Sequence, residues 1–205
     1  MNPIANDEAR GYRSELRAQQ AATTRERILD ATTRVMAGGL ADLTVPAVAR
    51  AAGVSVPTVY RHFKTKRDLL AGLQPHLQQR AGIDPGALPT SIDDLRGTLV
   101  SLIGSMDGLD DTMRAALASP AADEVRRVHA PNRFRIGQKI ADAIAPDLPE
   151  RERDRIARLL LVLTSSSALR MWRDQLELSV EKIADDIDRA LRAAIAAARG
   201  GEAAR

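Results

Sequence analysis

Apolar residues recur at spacings of three and four along most of the chain, the period of a helix with one buried stripe. The first clear stripe is Ile28, Leu29, Thr32, Val35 and Met36, with Gly38-Gly39 as its stop. Thr23 and Glu26 have capping-box spacing and predict the helix start. Residues 1–20 show no clear periodicity but carry Arg10, Arg13 and Arg17. They read as an extension, frayed at its start and helical nearer Glu15–Ala22. A basic arm reaching a minor groove and a solvated tail both remain open for it.

Two short units follow, around a glycine. In the first, Thr44 is a cap, Pro46 lies in the first turn, and Val45, Val48, Ala49 and Ala52 form a stripe. Gly53 is placed to take the positive φ that ends a helix. In the second, Ser55 caps, Pro57 lies in the first turn, and Val54, Val59 and Phe63 are apolar. This leaves Val56, Thr58, Tyr60, Arg61 and His62 outside, followed by Lys64 and Lys66. No carboxylate occurs from Val56 to Lys66. A merely solvated helix face would mix Glu with Lys. Small, hydroxyl and cationic groups instead suit thymine methyls, base edges and phosphate oxygens. Two helices at a steep angle around a glycine turn make a helix-turn-helix whose second helix enters a major groove.

A fourth helix begins near Lys66 and carries Leu69, Leu70, Leu73 and Leu77, with a kink or early end expected at Pro75. Gly82–Pro89 is the clearest linker. The body has a helix from Ser91 with Leu95, Leu99, Leu102, Ile103 and Met106, then a shorter one over Asp110–Ala118. A third starts after its cap Ser119 and is split or kinked at Pro131. Arg151–Asp174 reads as one helix containing Leu159–Leu163, apolar all round. The last helix starts at its cap Ser179, with Leu178 and Ile183 as a staple, carries Ile183, Ile187, Ala190, Leu191, Ala194, Ile195 and Ala198, and stops at Gly200-Gly201. Leu159–Leu163 and the small Ser165–Ala168 stretch fit either a subunit interface or the centre of a monomer core.

Three segments together resemble the TetR (tetracycline-repressor) family of bacterial regulators. They are Ile28–Thr32, Ala47–Tyr60 and Arg61–Leu70, within Thr23–Leu73. The resemblance implies an all-α protein: a three-helix DNA-binding head over 23–73, an extension over 1–22, and a ligand-binding and dimerisation domain over 74–205, about nine helices in total. It implies a homodimer on operator DNA, with a small-molecule effector. The DNA-contacting set becomes Thr44, Val56, Pro57, Thr58, Tyr60, Arg61, His62 and Lys66. Tyr60, His62, Lys66 and Thr44 match phosphate positions. Val56 and Thr58 would meet base edges or methyls, and Arg61 falls where the family varies, which makes it the candidate for guanine readout. Val56 and Pro46 replace polar residues common in the family, so methyl contact should outweigh direct base bonds. The family pocket would draw on Met106, Met113, His129, Phe134, Leu160 and Trp172. Its dimer interface would draw on Leu159, Leu163, Ser166, Ser167, Ile187, Leu191 and Ile195.

Composition narrows this further. Residues 1–70 hold 11 Lys and Arg against 7 Asp and Glu, and the remainder 19 against 20. The positive excess therefore sits where DNA would bind. Cysteine is absent, which excludes disulfides, thiolate metal sites and a cysteine nucleophile. No metal-ligand or catalytic motif occurs around His62, His76 or His129, and the Asp107–Asp111 run lacks the ligand spacing of a calcium loop. No cofactor, metal or enzymatic activity is expected. Aromatic residues are only 2%, which disfavours a pocket of stacked rings and favours an aliphatic or amphipathic effector. No apolar run of about 18 residues and no secretory signal are present, so a cytoplasmic location is expected. A repressor released by its effector is the leading expectation; an activator and a non-specific architectural DNA binder are the alternatives.

Overall fold

The computed structural model describes residues 3–39, 43–84, 86–106 and 108–203. The chain is all-helical, with ten α-helices and no strand among the described residues. They are α1 (Pro3–Ala37), α2 (Val45–Ala52), α3 (Val56–His62), α4 (Lys66–Arg80), α5 (Ile92–Ser105), α6 (Asp111–Ala118), α7 (Ala121–Ile144), α8 (Glu150–Leu163), α9 (Ser166–Arg170) and α10 (Val180–Ala203). A wider π-helical turn, Met171–Gln175, continues α9. The chain divides into two compact units: residues 1–76 with 112–125, and residues 77–111 with 126–205.

In the first unit α1 packs on α2 and α3. Its stripe is buried as periodicity requires: Ile28, Leu29, Ala31, Val35 and Met36 meet water hardly at all. α2 contributes Val45, Val48, Ala49 and Ala52, α3 contributes Val59, and Leu69, Leu70 and Leu73 come from α4. Thr32 is buried too, its hydroxyl donating to the Ile28 carbonyl, so its polarity is satisfied inside the helix.

The second unit has its own core. α10 lies against α5 and α8. Leu95, Leu99 and Ile103 of α5, Ile156, Ala157 and Leu160 of α8, and Ile183, Ala184, Ile187, Leu191 and Ile195 of α10 form one buried cluster with Leu169 and the end of α7. Gly137 is needed where α7 approaches α8, since a Cβ there would sit 3.0 Å from the Ala157 carbonyl oxygen. Arg96–Asp185 and the two-pronged Arg199–Asp147 pair surround the core. Being exposed, such pairs add little to stability.

Several local expectations are corrected. α1 does not begin at Thr23; helix is continuous from Pro3, and the Thr23 hydroxyl donates back to Gln19 as a mid-helix residue. The segment from Glu15 to Ala22 is exposed and rich in good helix formers, so it lacks a stripe without lacking helix. Of the two outcomes expected at Pro75 the early end is excluded, since α4 continues to Arg80, and of the two expected at Pro131 the division into two pieces is excluded, since α7 is one helix. Ser119 does not cap α7; its hydroxyl donates back to the Ala116 carbonyl, in the turn that closes α6. The helix expected over Arg151–Asp174 is broken: Thr164 closes α8, and Ser165 caps α9 by accepting from the Ala168 N–H. Gly200 does not stop α10, which reaches Ala203. Ala190 is exposed, and Ala184 takes its place on the inner stripe. Asp107 of the acidic run lies outside the described residues, as do the side chains of Arg10 and Arg13.

Candidate nucleic-acid interface

The turn between α2 and α3 is built by three local devices. Thr44 Oγ1 accepts from the Ala47 N–H at 3.3 Å and opens α2. Gly53 closes it at φ 65°, ψ 37°, with the Val54 N–H reaching the Ala49 carbonyl at 3.0 Å. An L side chain avoids that conformation and glycine does not. Ser55 Oγ then accepts from the Thr58 N–H at 3.2 Å and opens α3.

Arginines of α1 complete the corner. Arg27 Nη2 donates to the Ala52 carbonyl at 2.9 Å and Arg34 Nη2 to the Ala51 carbonyl at 3.1 Å. These bonds satisfy carbonyls left open at the α2 C-terminus and place positive charge where its dipole favours it. Arg25 lies over the Phe63 ring, 4.7 Å from its centroid. Arg25 and Arg27 therefore brace the head from its exposed side. Gly72 of α4 permits this packing, because a Cβ there would be 3.0 Å from both Arg25 Nη2 and Phe63 Cε1.

With Val59 and Phe63 turned inward, the opposite face of α3 is presented outward. Pro57, Tyr60 and Arg61 are exposed, Val56, Thr58 and His62 are half-buried, and Thr44 is exposed at the start of α2. Arg61 Nη2 donates to Thr58 Oγ1 at 3.3 Å, and that hydroxyl lies 2.8 Å from Ser55 Oγ. The Ser55–Thr58–Arg61 chain holds the guanidinium along the outward face before any ligand arrives. His62 has its pKa lowered, first by burial and then by the positive Arg61 and Arg25.

Lys66 differs from the others. It opens α4, which is started by reciprocal capping bonds between Thr65 and Asp68. Its Nζ is bound to Glu124 Oε2 at 2.8 Å, with both side chains about 40% exposed. The stretch from Val56 to Lys66 contains no carboxylate, yet folding brings one from 58 residues away. Nothing local in the sequence announces this pairing.

Residues 28–73 match the family model for bacterial regulatory proteins of the tetR family. Over these residues the head is similar to that family. Two solved structures resemble the chain over most of its length. One is NalD, described as the secondary repressor of the MexAB-OprM multidrug efflux pump in Pseudomonas aeruginosa. It is 19% identical, with 85% of this chain and 96% of NalD covered and a TM-score of 0.58. The other is a transcriptional regulator from Rhodococcus sp. Rha1, 24% identical, with 86% and 96% covered and a TM-score of 0.52. At these identities the likeness establishes the shared fold. No curated protein sequence matches the chain.

Beyond the head, the residues assigned to a pocket are divided. Met113 falls in the first unit; Met106, His129, Phe134, Leu160 and Trp172 fall in the second. Leu160 is in the second unit's core, Met106, Phe134 and Trp172 pack on it half-buried, and His129 is buried. A surface groove of about 330 Å³ between α7 and α8 is lined by charged side chains, among them Arg135, Lys139, Asp142 and Arg153, and by none of those six. The residues assigned to a dimer interface also separate. Ile187, Leu191 and Ile195 are at most 3% exposed within this chain's own core. Leu159, Leu163 and Ser166 are half-buried and Ser167 is exposed. Val162, between Leu159 and Leu163, is 63% exposed. No set of three metal-ligating side chains occurs among the described residues, and none of their helices is long and apolar enough to cross a membrane.

Proposed function

We propose that the protein is a cytoplasmic, dimeric transcription repressor that a small-molecule effector releases from its operator. The observation that carries this reading is the outward face of α3 in a TetR head: exposed Tyr60 and Arg61, half-exposed Val56, Thr58 and His62, and no carboxylate of its own. NalD, a repressor of similar fold, supports the sign of regulation. Val56 and Thr58 meet base edges and methyls, Arg61 reads guanine, and Thr44, Tyr60, His62 and Lys66 hold phosphates while Pro57 lies against the backbone. Residues 23–73 act as the DNA-binding domain and 74–205 as the effector and dimerisation domain. Two heads on a twofold axis read half-sites about 34 Å apart. The subunits join through the outward faces of α8 and α10, with Leu159, Val162, Leu163 and Ser167 on the α8–α9 side. Such a surface brings backbones close and removes an exposed valine from water. An effector favours a dimer whose heads are spaced wrongly, by no more than its difference in affinity between the two forms, about 1–3 kcal/mol.

The test is binding of the purified protein to DNA flanking its own gene, at two salt concentrations with random DNA as competitor. Tight, competitor-resistant binding is expected. Binding that ignores sequence and collapses with salt would replace this reading with that of an architectural DNA binder.

A further inference from the structure

The second unit contains an unusual electrostatic arrangement at the junction of α8 and α9. The backbone ladder is interrupted at Thr164 and Ser165. Two arginines of α7 converge on this break. Arg133 Nη2 donates to the carbonyls of Leu161 and Thr164 at 3.4 and 3.3 Å, and Arg126 Nη1 donates to Ser166 Oγ at 3.1 Å. Positions 126, 129 and 133 share one helix face, so buried His129 lies between them.

Arg133 is the informative residue. A guanidinium cannot shed its proton at physiological pH, so its charge must be met where it stands. Both of its acceptors are neutral carbonyls at long range, and both are served by Nη2. Among the described residues, Nε and Nη1 have no acceptor, and no carboxylate pairs with it. The nearby charge that acts on it is the positive Arg126, which with burial presses its pKa downward, burial being the larger cause. Capping the end of α8 accounts for one nitrogen of the fork. It leaves two donors and a half-buried positive charge of Arg133 open to a further partner. A planar fork with two free donors matches an oxyanion in bidentate fashion.

We infer that this face of α7 binds the oxyanion of a small acidic ligand, carboxylate or phosphate, through Arg133 and Arg126 at the α8–α9 junction. The inference rests on the effector reading above and names the chemistry of the effector. Partly buried Phe134, Leu163 and Trp172 belong to the same unit, and an amphipathic acid would use both kinds of surface. Binding there would supply the missing counter-charge and tie α7 to the break between α8 and α9.

Trp172 is the chain's single tryptophan and reports on this unit. The experiment titrates the full-length protein with octanoate, benzoate and inorganic phosphate, and with octanol and benzamide as neutral partners, following Trp172 fluorescence. Circular dichroism and thermal unfolding establish that the variants are folded. A saturable response to an oxyanion and not to its neutral partner is expected, weakened about tenfold or more in Arg126→Gln, which leaves the α8 cap intact, and in Arg133→Gln. Response to carboxylates alone or to phosphate alone identifies the source of the oxyanion. Equal responses to octanoate and octanol, unchanged affinity in both variants, or no saturable response to any oxyanion would overturn the site. The same titrations on the DNA complex separate the two readings. Oxyanion binding that leaves DNA bound upholds this site and removes effector release. Release of DNA by a neutral compound, indifferent to both variants, upholds release and removes this site.

Discussion

Replacing Glu124 with Gln should tighten DNA binding through Lys66. In the free head Lys66 Nζ is held by Glu124 at 2.8 Å. If Lys66 binds phosphate, the pair must open first. Both side chains are about 40% exposed, so the pair is worth the amount usual for an exposed ion pair, about 0.2–1 kcal/mol. Two heads in the proposed dimer would make this about 0.4–2 kcal/mol, or roughly 2- to 30-fold in affinity. The gain should shrink as salt screens the pair. Fluorescence anisotropy with a labelled operator, at about 50 and 200 mM salt, measures it. The control is a cycle with Lys66→Ala, which by itself should weaken binding to all sequences and lower the salt slope by about 1 per head. In that background Glu124→Gln should be silent. A gain of equal size without Lys66 would show that Glu124 acts only as distant negative charge. Weaker binding by Glu124→Gln would refute the argument altogether.

Arg61→Ala should relax specificity at one base step per half-site, by about 1–3 kcal/mol, and leave non-specific affinity nearly unchanged; a selection of bound sequences checks this against Lys66→Ala. His62 should make operator binding stronger as pH falls from about 7.5 to 5.5, because a phosphate beside the ring would offset the Arg61 and Arg25 charges that now lower its pKa, and His62→Gln should flatten the profile. In the free protein the sign for stability is opposite: the folded head resists a proton that the unfolded chain accepts, so the His62 contribution to stability falls as pH drops through 6.5, visible as an acid shift in thermal midpoint that His62→Gln reduces. Phe63→Ala should destabilise the head by about 3–5 kcal/mol, since the ring is almost fully buried and carries Arg25; an unchanged urea midpoint would contradict that packing.

Much of the head was legible because its instructions are local. Thr44, Gly53, Ser55 and the two prolines act through backbone bonds within a few residues, and a stripe of three- and four-residue spacing states which side is inward. The outward face of α3 follows by subtraction. Where local signals were weak or competed, reading them failed or left alternatives: Thr23 looked like a cap but lies within a longer helix, Gly200 did not stop α10, and only the tertiary structure decided that helix continues past Pro75 and Pro131. Composition pointed to an aliphatic or amphipathic effector and had no means of seeing Arg126 and Arg133 meet at one junction.

The sequence by itself therefore determined the helical class, the helix-turn-helix and the residues its recognition helix presents, since hydrogen bonds and periodicity over one or two turns suffice for these. Only the tertiary structure decided that Ile187, Leu191 and Ile195 lie in this chain's own core, that Arg25 and Arg27 brace the head, and that Glu124 holds Lys66. Each of these depends on which of several possible partners a side chain meets across tens of residues, and that choice is made by packing the helices together, not by any one of them.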